Sequence, residues 1–481
     1  MEAVTPKTSA TPSALDTRLA LALGLSLASI LSLPFPGDAP WINDEPKFVM
    51  LAYQANATGT LATQALVGSQ GVSYGPAAVW FYQLLLGATH DPVVLVILHA
   101  LLMSGLTAIA LYWLSRELGL WPLFAAMVAF SPYLWFYNRL LWDNSLNIPL
   151  SALALAAYLA FVARGSRAAL LLTLGCLLIA PLIHLMSLAL VAAVATHMAV
   201  YTRRALWRHR VLLLSVLFGG AVLYSGYARV LLAEIGAGHL RTGIGGLSIG
   251  GFTLPLLGAR IISASGLHYF FGPGWGSSLP LVLVRGFSAL SFPFVWGGMA
   301  IAVQRLRGLG RGTTPCLVDH AAIVSLVIVA AQMLLDGVTA AEVHPHYFNA
   351  TWIAYVVLAW LAADWLAARR RWRWLVLAYG GSLVVATVWL LALMHVTGGN
   401  RETHYGPTLA NQMEVAAQLS RAGAGCTWTT DVPHYREYPH TLAALQTLRP
   451  LPEDQTLPAR ALVIRYASSD PHDGRVVVTT R

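Results

Sequence analysis

The sequence is poor in charged residues. They make up 11% of the 481 positions, whereas hydrophobic residues make up 57%, and the mean hydropathy is +0.62. A water-soluble core cannot bury so much apolar surface. The composition therefore excludes an ordinary soluble globular protein and indicates an integral membrane protein.

Cysteines are equally scarce. Cys176, Cys316 and Cys426 lie far apart without C-x-x-C spacing, which excludes a zinc-finger pattern and a disulfide framework. The net charge of +9 comes largely from arginine-rich stretches between long apolar runs, such as 203–210 and 369–373. That arrangement is typical of the positive-inside rule. We therefore expect membrane lipids, and no nucleic acid, as partners.

Long apolar runs divide most of the chain. Lys7 and Arg18 precede the first run, and no clear cleavage site lies before Trp41, so we expect an uncleaved span with the N-terminus in the cytoplasm. Further runs are close to the ~20 residues that a bilayer requires, and they bring the expected total to about eleven. They lie at 92–114, 121–137, 144–163, 168–185, 187–202, 211–232, 279–303, 317–338, 349–367 and 375–395.

Two stretches are ambiguous as spans. The segment 76–88 is short, and 246–272 is glycine-rich and interrupted by Pro255. If neither crosses the membrane, the arginine-rich stretches all fall on the cytoplasmic side, as the positive-inside rule requires. The segments 37–91 and 233–278 then form long, partly membrane-lying loops on the outer face, with either juxtamembrane helices or re-entrant pairs.

The character of the chain changes at residue 396. No apolar run follows, a helical pattern occupies 407–421, and short β-prone runs alternate with it. We therefore predict a transmembrane domain over 1–395 and a small outer α/β domain over 396–481, which is small enough to require support from the membrane part. The β-prone runs lie at 426–431, 461–466 and 475–480.

Three of the outer loops carry ionisable residues beside the membrane. Such positions are costly to fill with ionisable side chains and therefore indicate function. The alternative is ordinary loop polarity, but the outer turn at 184–187 carries little charge, so polarity is not uniform. The residues are Asp44, Glu45 and Lys47 in the first loop, Arg139 and Asp143 in the second, and His344, His346 and Tyr347 in a late loop.

Acids and bases gathered at the outer membrane surface suit transfer of a sugar from a polyprenyl phosphate. A carboxylate can deprotonate the acceptor hydroxyl, and a basic side chain can stabilise the departing phosphate. Two other classes stay open: a transporter or flippase of a lipid-linked saccharide, and a non-catalytic assembly or sensor protein. Transporters commonly contain paired halves, and no such repeat is evident here.

Four short motifs resemble those of one family, the GT-C membrane glycosyltransferases of the protein O-mannosyltransferase and aminoarabinose transferase type. The resemblance implies a polytopic α-helical fold, a polyprenyl-phosphate-linked sugar donor, and a lipid, glycan or protein acceptor. It also implies an outer, periplasmic active site and a C-terminus on that side of the cytoplasmic membrane. The motifs are "NDEP" after the first span, "SYGPAAVWFYQLLLG", Arg139 followed by Asp143, and "HPHYF".

The sequence departs from the family pattern at three positions. Ala77 replaces a second proline, and His99 is the nearest counterpart of an early arginine. His346 stands where many relatives have arginine, so phosphate contact there would depend on a protonated or hydrogen-bonding imidazole.

The resemblance implies roles for the acids. Asp44 would be the general base, Glu45 would position the acceptor or tune Asp44, and Asp143 would support the site. The alternative for Asp44 and Asp143 is helix capping, and the alternative for Arg139 is an i,i+4 pair with Asp143. Arg285 lies inside an apolar run, where a lipid phosphate is a favourable partner. The expected substrate-binding residues are Lys47, Tyr74, Arg139, Arg285, His344, His346 and Tyr347.

One pattern is compatible with a metal. Glu342, His344 and His346 form E-x-H-x-H, which offers carboxylate and imidazole ligands. The spacing is also common without metal. The sequence assigns no metal ligand and no cofactor, and a divalent cation stays an open alternative.

Overall fold

The computed structural model describes residues 14–68, 71–239, 258, 279–311, 314–339, 344–401, 405–422, 427–450, 462–470 and 473–480. Most of this part of the chain is helical. The helices are α1 (Ala14–Leu31), α2 (Asp44–Ala57), α3 (Ala77–Leu86), α4 (Pro92–Leu118), α5 (Leu123–Ala129), α6 (Pro132–Arg139), α7 (Asp143–Arg164), α8 (Arg167–Ile183), α9 (Leu188–Tyr201), α10 (Arg203–Arg208), α11 (Arg210–Gly236), α12 (Leu279–Ser288), α13 (Ser291–Leu309), α14 (Leu317–Thr339), α15 (Trp352–Ala367), α16 (Arg373–Thr397), α17 (Leu409–Arg421), α18 (Pro433–Glu437) and α19 (His440–Leu448).

Six helices of the described part are long and apolar enough to cross a membrane. The predicted class, a multi-pass α-helical membrane protein, is confirmed, while the count of about eleven crossings stays a prediction. The six are Pro92–Leu118, Asp143–Arg164, Arg210–Gly236, Val282–Leu309, Leu317–Val338 and Arg373–Thr397. Shorter apolar helices cover Thr17–Leu31, Ala77–Leu86, Arg167–Ile183, Leu185–Tyr201 and Trp352–Ala367.

The predicted span over 121–137 is not one continuous helix. The segment forms two short helices, α5 and α6, that are separated at Phe130 and Ser131. Pro132 lacks a backbone N–H and disfavours helical geometry in the preceding residue. Ser131 instead caps α6, because its side chain accepts a hydrogen bond from the Tyr133 N–H at 3.3 Å.

The centre of the bundle is formed by α7 and α15. Within the apolar stretch of α7, 83% of the residues are buried, compared with 11% for the peripheral α11. Helix α7 packs against α4 and α8, and α15 packs against α13 and α14. The contact between α13 and α15 depends on Gly298, where an added Cβ would lie 1.7 Å from the Leu358 carbonyl oxygen. Only glycine permits so close an approach.

The first long loop contains two juxtamembrane helices, as predicted for 37–91. Helices α2 and α3 pack together, and Asn56 Nδ2 donates to the Gln83 carbonyl at 2.9 Å. Between them a short hairpin is closed by the Ala65 N–H, which donates to the Tyr74 carbonyl at 2.9 Å. The predicted glycine-rich loop over 246–272 lies, apart from Gly258, outside the described residues.

A small α/β unit follows α16, and the predicted β-prone runs form strands. The short strands β1 (Gly399–Asn400) and β2 (Gly406–Pro407) pair in antiparallel fashion. In a second sheet, β3 (Trp428–Thr430) is parallel to β4 (Leu462–Tyr466), which is antiparallel to β5 (Val476–Thr480). Helices α17 and α19 pack against each other beside this sheet.

The C-terminal unit is docked on the first loop through Trp41. The buried Trp41 side chain donates from Nε1 to the Thr441 carbonyl at 3.0 Å. The Trp41 carbonyl accepts from Gln412 Nε2 at 2.7 Å, and the Leu409 N–H donates to the Ala39 carbonyl at 2.9 Å. This docking places the C-terminal unit directly beside the start of α2.

Candidate active site

A cavity of about 280 Å³ lies at the end of the bundle where α2 and α7 begin. Seven of the predicted site residues line it: Asp44, Glu45, Tyr74, Asp143, His344, His346 and Tyr347. The other lining residues are Ile42, Asn43, Phe48, Leu66, Val67, Gly68, Trp142, Asn144, His184 and Tyr438. The fold therefore brings together side chains that are almost 400 positions apart in sequence, from Ile42 to Tyr438.

Asp44 occupies the first position of α2. Its Oδ1 lies 3.6 Å from Lys47 Nζ, one helical turn later, and both side chains are half-buried. Asn43 is the N-cap residue, so Asp44 lies at the first helical position and not at the cap. Burial raises the pKa of Asp44 by more than the Lys47 charge lowers it. A raised pKa makes the carboxylate a stronger base.

Glu45 holds the chain as it enters α2. Its side chain is 4% exposed, and Oε2 accepts from the N–H groups of Ile42 and Asn43, both at 3.1 Å. Burial raises the pKa of Glu45 to about 7, and the neighbouring Asp44 charge adds to the rise. The N–H groups of Ile42 and Asn43 therefore hold the Glu45 carboxyl group. This contact orients the neighbouring Asp44.

Asp143 is the first residue of α7 and is 1% exposed. Its Oδ1 accepts from the Asn144 N–H at 2.6 Å, as in a helix start. The structure places Asp143 near enough to Asp44 and Glu45 for the three charges to interact. Acids from two separate loops thus meet in one cavity.

Hydrogen bonds made by Tyr133 and Asn349 fix the late loop against α6 and α7. Its "HPHYF" motif forms a 3₁₀ turn over Pro345–Phe348, whose Pro345 carbonyl accepts from the Tyr133 hydroxyl at 3.0 Å. Asn349 Nδ2 donates to the Asn144 carbonyl at 3.1 Å, immediately after Asp143. These contacts determine where His344 and His346 lie relative to the acids.

Imidazole and aromatic rings form one continuous wall of the cavity. The His346 ring lies 4.5 Å from the Trp142 ring between centroids, and His184 lies 4.4 Å from Tyr74. Tyr347 connects the two pairs, at 4.5 Å from His346 and 5.8 Å from His184. Burial lowers the pKa of His346 well below its usual range. Burial thus disfavours the charged form of this ring, which can take part in hydrogen bonds in its uncharged form.

Three buried polar atoms in the cavity wall lack a hydrogen-bond partner among the described residues. They are Asn43 Oδ1, Asp143 Oδ2 and His346 Nδ1. Folded proteins leave few buried polar atoms unpaired, so such atoms call for a specific explanation. Their common location indicates a site for a polar ligand.

Three predicted site residues do not line the cavity. Lys47 contacts Asp44, which lines the cavity. Arg285 lies on α12, which packs against α16. Arg139 is buried; its Nη2 donates to the Phe35 carbonyl at 2.5 Å, and its guanidinium lies 4.9 Å from the Trp135 ring centroid. The i,i+4 alternative for Arg139 and Asp143 is not realised, because α6 ends at the first and α7 begins at the second.

Of the ten cavity residues that the sequence did not assign, three carry rings with a polar group. His184 and Trp142 stand at ends of apolar runs, where a polar or amphipathic side chain is a usable but weak signal. Tyr438 belongs to the C-terminal unit, and its place in the cavity follows from tertiary docking. A local pattern carries no information about that contact.

The described residues leave the metal alternative open. Within them no group of three or more His, Cys, Asp or Glu side chains is arranged to hold a metal ion. Glu342, the carboxylate of the E-x-H-x-H pattern, lies outside the described part of the chain.

A multi-pass helical bundle, two helices in its first long loop and an acid-lined cavity at one end define the class, a polytopic α-helical membrane protein. The fold is similar to the crystal structure of ArnT from Cupriavidus metallidurans bound to undecaprenyl phosphate, with a TM-score of 0.50. The similarity covers 97% of this chain and 98% of the other, at 14% sequence identity. No family model and no curated protein matches the sequence.

Proposed function

We propose that the protein is an integral membrane glycosyltransferase of the cytoplasmic membrane. It moves a sugar from a polyprenyl-phosphate donor to a hydroxyl of a lipid, glycan or protein acceptor at the outer face. The observation that carries the proposal is the convergence of Asp44, Asp143 and His346 in one cavity. The binding of undecaprenyl phosphate by ArnT, which shares the fold, supports the donor class.

Asp44 is the proposed general base. Its carboxylate takes the proton of the acceptor hydroxyl, whose oxygen then forms a bond to the anomeric carbon of the donor. The bond between that carbon and the phosphate oxygen breaks, and the lipid phosphate leaves with the electron pair. The partial exposure of Asp44 and its raised pKa suit this role, because the group can reach an acceptor and a raised pKa makes its carboxylate a stronger base.

The leaving phosphate requires donors of hydrogen bonds. His344, His346 and the Tyr347 hydroxyl line the cavity and can supply them, while Lys47, one helical turn after Asp44, supplies positive charge. Arg285 is proposed as a further cationic partner of the phosphate. Charge-assisted bonds stabilise the phosphate most strongly as its negative charge grows. The reaction is therefore proposed with side chains of this chain alone.

The remaining residues position these groups. Glu45 fixes the start of α2 through the Ile42 and Asn43 N–H groups. Asp143 presents Oδ2 to the cavity wall, where a sugar hydroxyl can donate to it. Tyr74 offers a ring on which the sugar can pack.

The test is transfer of labelled sugar from polyprenyl phosphate to membrane acceptors by the purified protein in closed proteoliposomes. Asp44→Asn keeps the side-chain volume and removes the basic oxygen, so turnover should fall by about 10²–10⁴ with the fold intact. Asp431→Asn is the matched control, since it removes an exposed acid of the C-terminal unit.

Two results would contradict the proposal. Near-normal transfer by a well-folded Asp44→Asn protein would remove Asp44 as the base. Movement of the intact lipid-linked saccharide across the bilayer, without release of lipid phosphate, would identify a flippase instead.

A further inference from the structure

A second cavity, of about 660 Å³, lies at the other end of α7 from the candidate active site. Asp143, at the start of this helix, lines the first cavity, and Arg164, at its end, lines the second. An α-helix of this length rises roughly 30 Å, which is the thickness of the hydrocarbon core. The two cavities therefore face opposite sides of the membrane.

The second cavity has an uncompensated positive charge. Arg164 is neutralised by Glu117, which accepts from both guanidinium nitrogens at 2.7 and 2.6 Å. The other three lining arginines, Arg203, Arg204 and Arg208, are exposed, and within the described part of the chain no acid pairs with them. An anion that entered the cavity would meet three free guanidinium groups.

Polar groups also lack partners at the wall of this cavity. His320 lines it, and its buried Nδ1 has no hydrogen-bond partner among the described residues. The adjacent His197 is buried, 5.4 Å away between ring centroids, and its Nε2 likewise has no partner there. His197 is held by Tyr158, whose hydroxyl lies at hydrogen-bond distance from Nδ1. Unpaired buried nitrogens beside a basic cavity indicate a polar ligand.

The flank of the cavity is apolar and faces lipid. Trp207 is 70% exposed on α10, the same short helix that carries the arginines, and Val200, Val211 and Leu214 are also exposed. Tryptophan at this level is typical of the membrane–water interface. A small soluble anion would not contact such an apolar flank, whereas the acyl chains of a lipid would pack against it.

We propose that this cavity binds the phosphate head group of an anionic membrane lipid from the leaflet opposite the active site. The planar fork of arginine binds phosphate in bidentate fashion, and basic pockets between transmembrane helices are suited to anionic head groups. The site goes beyond the proposed transferase function, because it uses none of the residues assigned to catalysis. It fixes α7, α9, α10 and α14 to one lipid molecule.

The test compares two triple variants of the full chain in non-ionic detergent. The cavity variant is Arg203→Gln, Arg204→Gln and Arg208→Gln. The control is Arg369→Gln, Arg370→Gln and Arg371→Gln, which removes the same charge from exposed positions that do not line the cavity. Binding of short-chain phosphatidylglycerol, phosphatidylcholine and inorganic phosphate is measured by native mass spectrometry, and thermal unfolding verifies the fold.

The wild type and the control should bind phosphatidylglycerol in preference to phosphatidylcholine, and the cavity variant should bind it at least about tenfold more weakly. Equal losses in both variants would show diffuse surface attraction and overturn the site. No loss in either would overturn it as well. Inorganic phosphate binding as tightly as the lipid would identify a soluble anion and exclude the lipid. If the triple variant unfolds, the single substitution Arg204→Gln replaces it, with Arg370→Gln as its control.

Discussion

The carboxylate of Glu234 binds Ser73 twice. Oε2 accepts from the Ser73 N–H at 2.7 Å, and Oε1 accepts from the Ser73 hydroxyl at 2.6 Å. The Ser73 carbonyl accepts from the Tyr227 hydroxyl at 2.9 Å, so every polar group of this residue is held by α11. Ser73 precedes Tyr74, which lines the candidate active site. An otherwise peripheral helix therefore positions a wall of the cavity.

Glu234→Gln should lower kcat/KM for the donor by roughly tenfold, because a charge-assisted hydrogen bond contributes about 1.5–3 kcal/mol. Hydrogen exchange of the amides in 64–74 should become faster in the same variant. Tyr224→Phe is the control, since its hydroxyl ties α11 to the Leu178 carbonyl and not to the hairpin. Unchanged exchange together with unchanged kinetics would show that α11 does not position Tyr74.

The pH profile of transfer should depend on Lys47. Partial burial raises the pKa of Asp44, and the Lys47 charge opposes that rise. Activity of a carboxylate base is lost as the pH falls through its pKa. Lys47→Gln removes the opposing charge, so the acidic limb of kcat/KM should move to higher pH, whereas Lys47→Arg should leave it in place. An unmoved limb in Lys47→Gln would exclude Asp44 as the titrating base.

The free energy of unfolding should depend on pH because Glu45 is buried. Its pKa is about 7 in the folded chain, compared with an ordinary value of 4.5. The folded state therefore binds the proton more tightly, and stability present below pH 4.5 is lost as the pH rises through 7, to a limit of about 3 kcal/mol. Glu45→Gln retains an acceptor oxygen for the Ile42 and Asn43 N–H groups, so the fold should persist.

Thermal unfolding in detergent between pH 4.5 and 8 tests this expectation. The Tm of the wild type should fall across that window by more than the Tm of Glu45→Gln. Parallel curves for the two proteins would show that Glu45 does not contribute to the pH dependence.

Sidedness can be tested with reporter tags. Tags after Arg167, Arg210, Arg311 or Arg371 should report the cytoplasm, because these arginines flank apolar runs on one side under the positive-inside rule. A tag after Arg481 should report the outer compartment. A cytoplasmic C-terminus would contradict both the crossing pattern and an outer active site.

The sequence predicted the helical membrane class and the convergence of Asp44, Asp143 and His346, because hydropathy and charge are locally encoded. It did not reveal the break in the helix at 121–137, where the apolar content hid the effect of Pro132. The substrate role of Arg139 stays a prediction, and the contact of its guanidinium with the Phe35 carbonyl was not predicted. Partners that lie 104 positions apart are determined by tertiary packing, and a single sequence does not reveal them.

The unpaired atoms of Asn43, Asp143 and His346 have a consequence for selectivity. A ligand that offers no matching hydrogen bond leaves these atoms both dehydrated and unpaired, which costs about 1–3 kcal/mol for each. Sites of this kind reject an analogue that lacks one hydroxyl far more strongly than one that lacks a methylene, by factors on the order of 10⁴–10⁵. Deoxy sugars of the true donor should therefore be poor substrates even though they fit the cavity.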